Sequence, residues 1–134
     1  LINSLYLPDP IKASSGHMVT AGLTVMSASD LCHLYVNDYK QFLGYRNTAL
    51  LAIDDLGMES ERIMKYGQEC YPISELLSYR YECRLFTIVT TNLPSSEVRP
   101  RYGDRMADRV NHMMQVVVMP DTNFRELSET YNPI

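Results

Sequence analysis

Apolar residues in this chain come in short continuous runs, separated by stretches in which they recur every three or four positions. The run Ala49-Leu50-Leu51-Ala52-Ile53 leads directly into Asp54, Asp55, Leu56 and Gly57. A short, continuous apolar run reads as a strand buried on both faces, as in a parallel sheet. Leu23–Ser27 reads as a second strand, Leu85–Thr90, rich in β-branched residues, as a third, and Gln115–Met119, stopped by Pro120, as a fourth. Between the runs, Leu31, Leu34, Tyr35, Tyr39 and Phe42 recur at helical spacing, predicting a helix over 31–42. Ser29 or Asp30 is its expected N-cap, and Gly44 its expected end. Pro72 predicts the first residue of another helix, with Ile73, Leu76, Leu77 and either Arg80 or Tyr81 turned inward. Ser95 or Ser96, with Glu97, predicts a helical turn. Asp104–Met113 predicts a helix with Met106, Val110 and Met113 on one face.

The remaining stretches are polar. Ile11–Gly22 carries Ser14, Ser15 and two glycines and reads as a loop; Met58–Gln68 fits a short helix or a loop. Leu1–Tyr6, ended by Pro8-Asp9-Pro10, reads as the last turns of a helix already under way. The chain is therefore expected to be a piece of a longer protein, or a processed one. The tail Asp121–Ile134 is expected to end the domain. Strands alternating with helical segments predict a parallel sheet with helices on both faces.

The length, 134 residues, suits one domain with a real core. A net charge of -4 argues against a strongly basic nucleic-acid binder, leaving room only for a local patch. The cysteines, Cys32, Cys70 and Cys83, are odd in number and form no C-x-x-C pair. Buried thiols in a reduced, cytoplasmic setting are expected. No apolar run approaches the roughly 18 residues of a membrane span, so no membrane partner is expected.

Candidate chemistry gathers at the strand ends. Open α/β sheets bind ligands at the C-terminal ends of their strands, which is where Asp54 and Asp55 lie. Mg²⁺ usually takes one or two carboxylates plus phosphates and water. Asp54 suits a hydrated Mg²⁺, and Asp55 suits orienting or deprotonating a water. The plainer reading, that the pair ends a strand and caps the next segment, is equally open on this motif alone. Asn92, in Thr90-Thr91-Asn92-Leu93, ends the next strand, where an Asx turn also explains it. Arg105 and Arg109 stand four apart beside Asp104 and Asp108, a pattern surface ion pairing explains equally well. His17, His33 and His112 show no ligand spacing. Tyr79 and Tyr81 with Arg80 and Arg84 suit packing a helix on a sheet better than stacking on single-stranded nucleic acid. An acidic phospho-receiver pocket is disfavoured, because no Lys ends the last strand.

Taken in order, Ile53-Asp54-Asp55-Leu56-Gly57, Thr90-Thr91-Asn92-Leu93 and Tyr102-Gly103-Asp104-Arg105-Met106-Ala107-Asp108-Arg109-Val110 resemble an AAA+ ATPase of the helicase-loader group. That group holds the bacterial DnaC/DnaI loaders and the transposition helper IstB. The resemblance runs from about Leu23 to Arg125, with Met26–Leu31 matching a second strand and helix start, and Phe124-Arg125 an aromatic-Arg pair near the family's C-terminus. It implies an α/β, P-loop NTPase-like three-layer sandwich with a mostly parallel sheet. It implies ATP and Mg²⁺ as cofactors, with Asp54 as the Walker B metal residue, Asp55 at the catalytic acid position and Asn92 as sensor 1. Arg109, then Arg105, would be the arginine finger acting on a neighbouring subunit. The implied partners are a replicative helicase, single-stranded DNA and further copies of the chain in an ATP-bound homo-oligomer. A transposition helper of the IstB type and a non-catalytic scaffold are the alternatives.

One departure is large: G-x-x-x-x-G-K-[ST], the loop that cradles phosphates, occurs nowhere in the chain. Residues 1–134 are thus expected to be a partial AAA+ core without the first strand and P-loop, inactive by itself. The missing strand would lie in the middle of the family's sheet, leaving a groove or an unusual pairing.

Overall fold

Three strands form the sheet: β3 (Thr24–Ser27), β4 (Leu50–Leu56) and β7 (Phe86–Thr91), in the order β3-β4-β7 and all parallel. The computed structural model describes residues 22–120, together with the backbone of Ile11–Lys12 and Met18–Val19. Those two short pieces, β1 and β2, pair antiparallel within the stretch expected to be a loop. The segment Leu1–Tyr6 and the tail with Phe124-Arg125 lie outside the described residues.

The sheet's two faces follow from its register. Thr24 pairs with Leu51 and Leu51 with Thr87, while Met26 pairs with Ile53 and Ile53 with Val89. Alternation along a strand sends these residues to one side. That side meets the helices: Leu51 and Ile53 pack in one cluster with Leu31, Phe42, Ile73, Leu76, Leu77 and Met106. Val25, Ala52 and Ile88 take the other side, and so does Asp54, two residues beyond Ala52. The fold class is α/β, with a small parallel sheet and, among the described residues, five helices. Among the described residues the helices form one connected layer, not two.

Helix α1 (Ala28–Asn37) starts directly from β3, capped by Ser27, whose hydroxyl accepts the Asp30 N–H at 3.0 Å. The expected cap at Ser29 or Asp30 is thereby corrected. The expected single helix over 31–42 is also corrected, because it breaks at Asp38. Asp38 leaves helical geometry (φ -149°, ψ 74°) and caps α2 (Tyr39–Arg46) by accepting the Gln41 N–H. The apolar spacing gave no sign of the break because Tyr35, Tyr39 and Phe42 still cluster across it, with ring centroids 5.1–5.8 Å apart. Gly44 lies inside α2 and does not end it.

Two further expectations fail. Met58–Gln68 is neither helix nor plain loop: β5 (Ile63–Lys65) and β6 (Gln68–Cys70) form a hairpin. Tyr66 (φ 52°) and Gly67 (φ 76°) make its two-residue turn, with both residues left-handed as such turns require. Lys65 ties the hairpin down by donating from Nζ to the Tyr35 carbonyl at 2.8 Å, with its ammonium over the Tyr35 and Tyr39 rings. Gln115–Met119 forms no strand, and Val116, Val117, Val118 and Met119 are exposed. A strand needs a neighbour, and among the described residues β7 is paired only to β4, with none along its other edge.

Helix α3 (Pro72–Glu82) begins at Pro72 as expected and buries Ile73, Leu76 and Leu77. It ends on Arg84 in the left-handed region (φ 54°), with Arg84 N–H bonding the Tyr81 carbonyl and Leu85 N–H the Arg80 carbonyl, a Schellman closure. Arg80 is wholly buried. It donates to the Arg46 and Thr48 carbonyls, the Thr87 hydroxyl and the Phe86 carbonyl at 2.6–2.9 Å. One planar fork thus closes the end of α2 and the starts of β4 and β7, and Arg80 has no part in any stacking surface. Helices α4 (Ser95–Tyr102) and α5 (Asp104–Met113) meet at Gly103 (φ 89°), and α5 buries Met106 and Ala107.

Candidate functional site

Asp54 and Asp55 sit on an irregularity of β4. Ile53 pairs with Val89 and Leu56 with Thr91, so three steps on β4 oppose two on β7. This is a β-bulge with one extra residue. Asp55 absorbs it in the left-handed region (φ 56°), which aspartate tolerates better than most side chains. The bulge turns Asp55 out to solvent while Asp54 stays half-buried on the sheet face away from the helices.

The threonines of β7 lace the two strand ends together. Thr90 Oγ1 donates to the Asp54 carboxylate and accepts the Asp55 N–H at 3.1 Å. Thr91 Oγ1 donates to the Leu56 carbonyl at 2.6 Å and accepts the Leu93 N–H at 3.0 Å. Gly57 (φ 103°) lies so close under Leu93 that an added Cβ would stand 2.7 Å from its side chain. Two of the three sequence features, the Asp54–Gly57 turn and the Thr90–Leu93 strand end, are thus one structural unit. Asn92 sits exposed on its rim.

The loop beyond Gly57 is fixed from the other side. Glu59 keeps 1% of its side chain exposed. It accepts the Gly57 N–H at 2.8 Å and the Tyr102 hydroxyl, and pairs with Arg101 at 3.7 Å. Arg101 also donates to the Glu59 carbonyl. Burial, then the Glu59 bond, pushes the Tyr102 phenol above its ordinary range. Burial first, then Glu59, pushes the Cys32 thiol up to about 12, against a lowering by Arg101.

The third feature stays apart. Arg109 bonds Glu82 of α3 at 3.1 Å and lies 5.4 Å from the Tyr81 ring centroid. Arg105, exposed one turn earlier, lines the same groove between α3 and α5, beside Ser74 and Ser78. Neither makes a hydrogen bond or ion pair to the Asp54–Gly57 turn. The ion pairing expected of Asp104 and Asp108 is real, but Arg99 makes it, at 2.9 and 2.8 Å.

Among the described residues, no group of three or more His, Cys, Asp or Glu side chains is arranged to hold a metal. Asp54 and Asp55 would offer a metal at most two carboxylates, and magnesium usually takes one or two with water and phosphate oxygens completing its shell. No described helix is long and apolar enough to cross a membrane. Thr90, Glu59 and Tyr102 were not singled out in the sequence. Thr90 sits inside the Thr-Thr-Asn stretch, but its partner depends on strand register. Glu59 and Tyr102 are separated by a hairpin, a helix, a strand and most of a second helix. No protein-family model matches the chain, and no curated protein matches it.

Proposed function

We propose that this chain is the Walker B and sensor side of a P-loop NTPase of the AAA+ helicase-loader type, working on ATP with Mg²⁺. The observation that carries the reading is the bulge. It presents two carboxylates at the C-terminal end of the central parallel strand, hydrogen-bonded to the neighbouring strand end that carries Asn92. The order β3-β4-β7, with no described strand on the far side of β7, also suits it, since a phosphate-loop strand would lie along that edge.

In this reading Asp54 would help hold a hydrated magnesium ion. Asp55, turned outward, orients or deprotonates the attacking water, and the Asn92 amide donates to that water or to the terminal phosphate. Magnesium ATP supplies the transferable phosphoryl group and the cation that offsets its charge. Arg109, or Arg105 after it, serves the site of a neighbouring copy, and Arg109 has to exchange Glu82 for a phosphate to do so. A replicative helicase as client, single-stranded DNA and a nucleotide-dependent homo-oligomer belong to the same proposal, as does the cytoplasm as its compartment. A non-catalytic scaffold is the second reading, favoured by the engaged state of Arg109.

The test uses the protein encoded by the whole natural reading frame. Magnesium-dependent ATP hydrolysis that Asp54→Asn and Arg109→Ala abolish, with nucleotide binding kept in Arg109→Ala, is the expected result. Absence of nucleotide binding and of nucleotide-dependent assembly would give the scaffold reading the lead.

A further inference from the structure

A β-bulge leaves one backbone N–H without a ladder partner, and a carboxylate at a strand end is free to turn about its χ angles. Both loose ends occur here, at Asp55 and Asp54, and one atom meets both. We propose that Thr90 is the positioning residue of the carboxylate pair: its hydroxyl holds the Asp55 amide in the bulge and fixes the Asp54 carboxylate in one orientation. One Asp54 oxygen is thereby committed to Thr90, and the other is left for a metal-bound water.

The argument is geometric. Ala52 pairs with Ile88, so Asp54 and Thr90, each two residues further on, share the face of the sheet away from the helices. A hydroxyl donates once and accepts up to twice. Thr90 Oγ1 uses both roles, donating to Asp54 Oδ1 and accepting the Asp55 N–H at 3.1 Å. Asp54 has no other hydrogen-bond partner among the described residues, so no second hydrogen bond there fixes its rotamer. β-Branching adds to the effect, because it restricts χ1 of Thr90 itself. Thr91, next door, spends its hydroxyl on the Leu56 carbonyl and the Leu93 amide and cannot substitute. The metal half of this inference rests on the reading of Asp54 as the magnesium-side carboxylate; the geometric half does not.

The experiment is solution NMR on the labelled chain, comparing wild type with Thr90→Val, which keeps the shape and loses the hydroxyl, and Thr90→Ser, which keeps the hydroxyl. Hydrogen exchange of the Asp55 amide is expected to rise about 5- to 10-fold in Thr90→Val, the worth of one net hydrogen bond, beyond any change shared by the whole domain. The Hα–Hβ couplings of Asp54 are expected to pass from single-rotamer to averaged values, and Thr90→Ser to restore both. Mn²⁺ added alone is expected to broaden the Asp54 signals, with an apparent affinity several-fold weaker in Thr90→Val and no broadening in Asp54→Asn. If Thr90→Val does not fold, Thr90→Ala makes the same comparison. A folded Thr90→Val with unchanged Asp55 exchange and Asp54 couplings overturns the proposal. Exchange and couplings that move as expected, with no broadening of Asp54 by Mn²⁺ in wild type, uphold Thr90 as positioning residue and overturn the metal reading of Asp54.

Discussion

The two ends of the β4–β7 strand pair are closed by opposite means. At the N-terminal end a single buried guanidinium, Arg80, meets the carbonyls of Arg46, Thr48 and Phe86 and the Thr87 hydroxyl, and is itself shut away from solvent. Its acceptors are neutral oxygens, and burial lowers its pKa from the ordinary arginine value. At the C-terminal end the closure is made by neutral hydroxyls, and the charged groups, Asp54 and Asp55, remain partly or wholly in water. A charge used up in neutral contacts stabilises and does little else. Charges held by hydroxyls keep lone pairs uncommitted. The difference leaves one end closed and the other with uncommitted carboxylate oxygens, the end that the proposed nucleotide site would use.

The largest expected effect breaks the structural end. Arg80→Ala removes the donors of three carbonyls at once, at about 1–3 kcal/mol for each acceptor left unsatisfied. The expected loss is about 3–5 kcal/mol by urea titration, and Arg80→Lys should recover little because an ammonium lacks the planar fork. Retention of wild-type stability in Arg80→Ala would dissolve the contrast. At the other end, Gly57→Ala sets a Cβ against Leu93 and an L-residue at φ 103°, and should cost about 1–3 kcal/mol. The same variant should raise amide exchange at Leu56 and Leu93 before the rest of the sheet.

Cys32, beside Glu59, offers a pH test of the loop below the carboxylates. Its thiol pKa is raised from 9.0 to about 12, so the protonated form is the one that folding favours. The unfolded chain loses that proton first, so the contribution is full below pH 9 and is lost as pH rises from 9 toward 12. At pH 8 an alkylating reagent should therefore modify exposed Cys83 and spare Cys32, read by peptide mass spectrometry. The smallest expected effect returns to the structural end. Arg84→Gly relieves a left-handed arginine at the α3 closure and should stabilise by about 0.5–1 kcal/mol in thermal melts.

Much of the frame was legible because it is locally encoded. The β4 apolar run, the β-branched β7 and Pro72 at the head of α3 carry their structure in their own residues. What escaped depends on distant partners or on single polar side chains. Asp38 interrupts a helix whose apolar spacing continues undisturbed on both sides. The hairpin has strands of three residues and a Tyr66-Gly67 turn in place of the usual Asn-Gly or Asp-Gly signal. Val116–Met119 reads as a strand by composition, but a strand exists only with a neighbour to pair with. The carboxylate pair was visible as a motif. The bulge that turns Asp55 out to solvent while Asp54 stays half-buried was not, because it is a mismatch of register between β4 and β7.

That same register leaves a colloidal consequence. Phe86–Thr91, unpaired on one side among the described residues, carries no Pro and no charged residue, and Val116–Met119 adds four exposed apolar residues in sequence. Proteins usually protect such edges with charge or proline, and uncharged β-prone segments left bare are where aggregates begin. Raising the protein concentration is therefore expected to favour association of this chain, which light scattering over a dilution series would read.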